Sequence, residues 1–192
     1  SASAVQVNAG DLVVVVCRQA TNGGSLPTVT VTDTAGDSFA AATSSVAYNS
    51  QNSIQLFYAK NAIGQSSAGS VTCNYSGNTT WYDAIAVLEY SGASTSSPLD
   101  ASQVAGGVMS GGAITTSNFT TAFANEIGVC GYSGDALGVS FTPGSSFAAE
   151  LVDASNFAGA SDRTMTTTVT TNGTVAISGG GGSGEIVCAT FH

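Results

Sequence analysis

The feature that most constrains this chain is a succession of short apolar and β-branched runs, separated by clusters of Gly, Ser, Asn and Asp. Helical periodicity is almost absent, and runs of about five to eight residues between turn residues are typical of short strands. We therefore expect an all-β fold. The pattern predicts strands at 12–18, 28–33, 38–47, 54–60, 70–75, 84–91, 126–132, 138–142, 147–153, 163–170, 174–178 and 185–191.

One of these runs, 12–17 (LVVVVC), is apolar at every position. A strand of this kind has no polar face to turn towards water, so we expect it to be covered on both sides. In contrast, apolar and polar residues alternate in 29–32 (VTVT) and 70–73 (SVTC), which predicts strands with one solvent-exposed face.

The two halves of the chain resemble each other. Residues 11–17 (DLVVVVC) correspond to 126–130 (EIGVC), and 31–41 (VTDTAGDSFAA) correspond to 141–149 (FTPGSSFAA), in the same order. One strand–turn–strand plan used twice predicts two interleaved Greek keys. We therefore expect a jelly-roll type β-sandwich of two antiparallel sheets with a pseudo-twofold internal repeat. The Gly-, Ser- and Thr-rich region 92–124 is predicted to be the crossover between the halves.

At this length the chain has room for one domain of ordinary size, or at most two small ones. We expect a single jelly-roll domain over 11–192, preceded by an N-terminal strand, the donor segment, at 1–10.

Four cysteines, Cys17, Cys73, Cys130 and Cys188, lie in or beside apolar runs and form no CxxC pair. Zinc ligands usually come in close pairs, so the spacing disfavours a metal site. Two disulfides between neighbouring strands are favoured, with Cys17 joined to Cys73 and Cys130 to Cys188. The sequence permits three disulfide connectivities, and four buried free thiols are the alternative.

Disulfides imply an oxidising compartment, so we expect an extracellular or cell-surface location. The start at Ser1, with no signal peptide, fits a mature secreted protein.

The charge composition excludes several functions. The chain has 3 Lys and Arg against 12 Asp and Glu, which is too few cations to neutralise nucleic-acid phosphates. No apolar run approaches the ~20 residues of a membrane-spanning helix. The single histidine, His192, ends the chain, and no G-x-S-x-G motif is present, so a hydrolytic triad is disfavoured. We expect no enzyme activity, no cofactor and no metal.

The loop 33–37 and Glu89 are candidate acidic sites. The loop 33–37 (DTAGD) could offer carboxylates to calcium, but D-x-x-G-D between strands is more often a turn. Glu89 lies in an apolar run, and we expect it to form a structural ion pair with Lys60, Arg18 or Arg163.

The sequence offers two kinds of candidate glycan site: sequons for covalent attachment and aromatic residues for sugar binding. Four sequons make N-glycosylation possible, at Asn74, Asn78, Asn118 and Asn172. Trp81 and Tyr82 follow a Gly-Asn-Thr-Thr loop, where exposed aromatic rings could stack on sugars. The alternative is that these rings form the rim of the core.

The first residues, 1–7 (SASAVQV), combine β character with small side chains. They fit a frayed terminus, an ordinary edge strand, or a strand laid into a neighbouring subunit, where alternate side chains fill pockets. For the third interpretation the subunit-interface residues are Ala2, Ala4, Val5 and Val7.

Five motifs resemble those of jelly-roll β-sandwich modules of bacterial secreted and cell-surface proteins: 10–15 (GDLVVV), 31–39 (VTDTAGDSF), 57–61 (FYAKN), 87–92 (VLEYSG) and 97–100 (SPLD). Such modules occur beside adhesive or sugar-binding domains. The chain also looks like the jelly-roll subunits of extracellular bacterial filaments, in which an N-terminal strand of one subunit completes the sheet of the next. The motifs are structural and imply no catalysis.

We therefore expect a structural subunit of an extracellular filament, a homo-oligomer assembled by β-strand addition. The alternative is a carbohydrate-binding or adhesive β-sandwich module of a secreted protein.

Overall fold

A computed structural model describes residues 1–21, 27–48, 52–77, 80–108, 112–135, 139–153, 158–179 and 182–192. Every regular element in these ranges is a β-strand, and all strand pairs are antiparallel. The prediction of an all-β, antiparallel fold is confirmed. In the same ranges no helix is long and apolar enough to cross a membrane.

Within the described residues, the first half of the chain has eight strands in two sheets. The first outer sheet has the order β1–β7–β3, and the first inner sheet has the order β4–β6–β2–β8, with β5 also paired to β6. The bounds are β1 Ala2–Val7, β2 Leu12–Thr21, β3 Val29–Asp33, β4 Phe39–Ala41, β5 Val46–Tyr48, β6 Asn52–Ala59, β7 Gln65–Tyr75 and β8 Thr80–Tyr90.

The part of the second half that the structure describes has ten strands. The second inner sheet has the order β14–β15–β12–β18–β9, the second outer sheet has the order β10–β17–β13, and β11 pairs with β16 alone. The bounds are β9 Leu99–Val108, β10 Ala113–Thr115, β11 Phe119–Thr120, β12 Glu126–Gly134, β13 Ser140–Pro143, β14 Ala148–Asp153, β15 Ala158–Met165, β16 Thr170–Thr171, β17 Thr174–Ser178 and β18 Ser183–Phe191.

The four larger sheets stack as four layers with three apolar cores between them. One core lies between the first outer and first inner sheets, a second between the two inner sheets, and a third between the second inner and second outer sheets. This arrangement differs from the single pair of sheets predicted from the sequence. The reason is that each half forms its own two-sheet sandwich, and the two sandwiches then bury their inner faces against each other.

Strand β2 shows how the sequence produces this stacking. Val13, Val15 and Cys17 pack into the core under the first outer sheet, whereas Val14 and Val16 pack into the core between the inner sheets. Because successive strand side chains point to opposite faces, a strand between two cores must be apolar at every position. The predicted covering of 12–17 on both sides is confirmed.

Three sequence predictions about strand boundaries are wrong. The predicted strand 163–170 is displaced, because β15 spans Ala158–Met165 and the next strand, β16, begins only at Thr170. The region 92–124 is not only a crossover, because it contains β9, β10 and β11. The predicted strand 38–47 is two short strands, β4 and β5. They are separated because the backbone N–H groups of Ala42 and Thr43 both donate to the carbonyl of Leu56, which turns the chain between them.

Candidate functional site

The predicted donor strand β1 lies at the edge of the first outer sheet. It pairs with β7 of its own chain, with Ala2 opposite Val71, Ser3 opposite Ser70 and Val7 opposite Gln65. Its other edge pairs with no strand in the described part of the chain. In the single chain, therefore, the N-terminal strand completes its own sheet.

The β1–β7 ladder is irregular. The register shifts twice, between Ser3 and Val5 and again between Val5 and Val7. Ala4 has a φ of 58°, a left-handed conformation that is uncommon for a residue with a side chain. Each bulge leaves part of the ladder unpaired, so β1 is held by fewer regular hydrogen bonds than its length allows.

The four predicted interface residues divide into two pairs. Val7 is buried in the core under the first outer sheet, and Val5 packs against that core from the edge. Ala2 is half-buried and Ala4 is exposed. The apolar anchor of β1 is therefore confined to two valines near its C-terminal end, while the first residues are held by backbone pairing.

A polar contact fixes the chain where β1 ends. The backbone N–H and the side-chain amide of Asn8 both donate to Oε1 of Glu89 on β8, at 2.5 and 3.0 Å. Gly10 donates to the carbonyl of Ala62, and Ala62 donates to that of Asp11. The hydrogen-bond partner of Glu89 is thus an amide, whereas the sequence predicted a cation. The junction after β1 is fixed independently of the strand itself.

Both predicted disulfides are present. Cys17 on β2 is bonded to Cys73 on β7, and Cys130 on β12 is bonded to Cys188 on β18. The second joins neighbouring strands, as expected. The first joins strands of two facing sheets, so the expectation of neighbouring strands is wrong there. It fastens β7, the strand that carries β1, to the inner sheet.

The loop 33–37 forms a turn. Oδ1 of Asp33 accepts hydrogen bonds from the backbone of Gly36 and Asp37, at 2.8 and 2.9 Å, and Gly36 has a φ of 84°. Oδ1 of Asp37 accepts the N–H of Ile63 at 2.8 Å. Burial, together with the nearby Asp33 carboxyl, raises the pKa of Asp37. In the described ranges no group of three or more His, Cys, Asp and Glu could hold a metal ion.

The predicted glycan sites fall in different settings. Asn74 is exposed and donates to Thr32, while Asn118 accepts a hydrogen bond from Asn172. The amide oxygen of Asn172 also accepts from Ser145, so this half-buried side chain is already engaged. Asn78 lies outside the described residues.

The two predicted sugar-contact residues lie at the start of β8. Tyr82 is 43% exposed. The side chain of Trp81 lies outside the described part of the structure.

A buried polar group between the inner sheets was not predicted. Arg18 on β2 and Glu185 on β18 are each 1% exposed. The guanidinium donates to the carbonyl of Tyr82 and to Oδ1 of Asn52, at 3.0 and 2.9 Å, and the Ser133 hydroxyl donates to Glu185. Burial lowers the pKa of Arg18, and the charge of Glu185 opposes this shift. The sequence signal was a lone cation directly after the apolar run 12–17.

Comparison with known proteins gives no relative: no family model, no curated protein and no solved structure matches this chain. The functional argument therefore depends on the geometry of the chain itself.

Proposed function

We propose that this chain is a structural subunit of an extracellular filament, a cell-surface fibre assembled by β-strand addition between subunits. In the assembled form, β1 leaves β7 of its own chain and pairs with β7 of the next subunit. The observation that supports this most directly is the position of β1, a terminal edge strand with an irregular ladder.

Exchange of β1 is thermodynamically accessible because the neighbour offers the same contacts. The backbone of β7 and the pocket that takes Val7 are identical in every subunit, so the exchanged strand regains what it gives up. A contact in which each subunit donates to the next does not close on itself unless the rotation happens to do so. The product of such an exchange is a linear or helical polymer.

Composition and covalent structure fit this function. Two disulfides are compatible with a secreted protein. With only 8% charged residues, repulsion between stacked subunits is small, and salt screens the net charge of −9 beyond about 8–10 Å.

We propose that the internal repeat takes the following form: each half of the chain is a sandwich of one outer and one inner sheet, with corresponding strands in the same order. Substituting β10, β17 and β13 for β1, β7 and β3 reproduces the order of the outer sheets. Substituting β14, β15, β12 and β18 for β4, β6, β2 and β8 reproduces that of the inner sheets. The short β10 then corresponds to the donor strand β1.

Deleting residues 1–7 tests the function. The truncated subunit keeps β7 as an acceptor but cannot donate, so it should form no fibres and should cap growing ends. We expect a substoichiometric addition to shorten wild-type fibres, as measured by light scattering and electron microscopy. Circular dichroism checks that the variant is folded. Fibres of normal length from the truncated chain alone would contradict the proposal.

The alternative, a carbohydrate-binding or adhesive module, is supported by the exposed ring of Tyr82. Under that alternative the truncated chain would remain a monomer like the full chain, and both would bind the same glycan. The two functions are therefore separated by the same variant.

A further inference from the structure

Strand β8 forms the edge of the first inner sheet. It pairs with β2 along one side, and on its other side no strand of the described ranges pairs with it. Residues 84–90 of β8 are all half-buried. A strand edge of this length presents a row of main-chain donors and acceptors that another strand can use.

The second half of the chain shows the same position filled. Strand β18, the counterpart of β8, pairs with β12 on one side and with β9 on the other, from Ser183 opposite Val108 to Phe191 opposite Leu99. Every residue of β18 is buried. Strand β8 is less buried than β18 because no strand of the described ranges lies beside it in the place that β9 takes beside β18.

An apolar groove lies beside the vacant position. A cavity of about 120 Å³ is lined by Ala84 and Ala86 of β8, Leu151 and Val152 of β14, and Ala158 of β15. Leu151 and Val152 are 44% and 50% exposed. Leu151 lies opposite Ala160, which belongs to the core between the inner sheets, so a fifth strand of the first inner sheet would cover the Leu151 side chain, as β9 packs on β5 at the opposite side of the molecule.

The geometry of this edge favours binding of a single extended strand over binding of the edge of another sheet. In the stacked inner sheets β8 packs on β15, so β14 extends one strand further than the first inner sheet. The edge of a second sheet approaching β8 would meet β14 before it could pair. A single extended segment fits between them.

One end of the groove is acidic. Near the end of β8 a larger opening is lined by Glu89, Glu150 and Asp162, and the hydroxyl of Tyr90 donates to Asp162 at 2.9 Å. An antiparallel strand on β8 begins at this end, as β9 begins with Leu99 opposite Phe191. Its first residue would lie near the carboxylates of Glu150 and Asp162.

We propose that the β8–β14 groove binds an extended peptide strand from a partner protein. The strand lies antiparallel to β8, carries small and aliphatic side chains along its length, and has a cation at its N-terminal end. This site is separate from the β1 edge and does not depend on fibre formation.

A synthetic peptide with the β9 sequence preceded by lysine, KLDASQVAGGV, is the probe, because β9 is the strand that fills the equivalent position. Fluorescence anisotropy with the full chain should show saturable binding. Leu151→Asp should weaken binding by roughly tenfold, since it places a charge in the apolar groove. Ile63→Asp, at another exposed aliphatic residue, is the matched control and should leave binding unchanged.

Charge complementarity gives a second readout. Glu150→Gln should weaken binding of the lysine peptide by about threefold at low salt, and the difference should fade as salt rises. Absence of binding, or equal binding to the Leu151→Asp and Ile63→Asp variants, would overturn the proposal. Tighter, Leu151-dependent binding of a peptide of residues 1–8 would also overturn it, because the occupant would then be a second copy of this chain.

Discussion

Replacing Glu185 by leucine is expected to lower the free energy of unfolding by about 3–5 kcal/mol. Glu185 and Arg18 are both buried between the inner sheets, and the carboxylate favours the charged form of the arginine. Without the Glu185 carboxylate, the Arg18 guanidinium stays buried between the inner sheets and loses a negative charge that offsets its desolvation. The Ser133 hydroxyl also loses its hydrogen-bond acceptor. Urea unfolding followed by circular dichroism measures the change.

The double variant Arg18→Met and Glu185→Leu separates a buried charge from lost packing. It should recover part of the loss, because an apolar pair leaves no charge to desolvate. Glu150→Gln, at an exposed carboxylate, is the control and should change stability by less than about 0.5 kcal/mol. Equal losses in the single and double variants would contradict this explanation.

Removing the Cys17–Cys73 disulfide with a double alanine variant is expected to cost about 4 kcal/mol, because the bond closes a loop with a sequence separation of 56. The Cys130–Cys188 bond has a separation of 58, so its removal should cost about the same. Thermal unfolding of the two variants measures both.

The two variants should differ in strand exchange. Only Cys17–Cys73 fastens β7 to the inner sheet, so only its loss should raise hydrogen exchange in β1 and β7 beyond the change in global stability. The Cys130→Ala and Cys188→Ala variant is the matched control. If both variants increase exchange in β1 equally, β7 is not held by this bond.

Local pattern predicted much of this structure. Strand β2 could be identified because four consecutive valines between turn residues leave few alternatives, and its full burial followed from the absence of a polar face. Two disulfides could be predicted because each cysteine lies in or beside a strand run, although the sequence left three connectivities open and the structure decides between them. In these places the local sequence and the tertiary environment favour the same structure.

Strand β9 could not be predicted in the same way. Its sequence, LDASQVAGGV, is rich in Gly, Ala and Ser and has the composition of a loop. It becomes a strand because β18 offers an edge to pair with and because Val104 packs into the core between the inner sheets. Such pairing joins residues far apart in sequence, and a local pattern does not contain it.

For the candidate sites too, the local sequence predicted one part and the tertiary structure determines the other. The segment 1–7 could be recognised as a strand, but the sequence did not show that this strand pairs with β7 of its own chain. The groove beside β14 was missed because Leu151 and Val152 look like core residues. Two adjacent aliphatic residues on a strand point to opposite faces, and only the structure shows that both are exposed.

The most direct measurement of strand exchange is a disulfide trap between Ser3 and Ser70, which lie opposite each other in β1 and β7. Thr30→Cys with Asn74→Cys, opposite each other in β3 and β7, is the control and should give only monomers on a non-reducing gel. For oxidised Ser3→Cys and Ser70→Cys fibres the proposal predicts a ladder of covalent multimers. A single monomer band, from fibres or from particles dispersed singly, would contradict it.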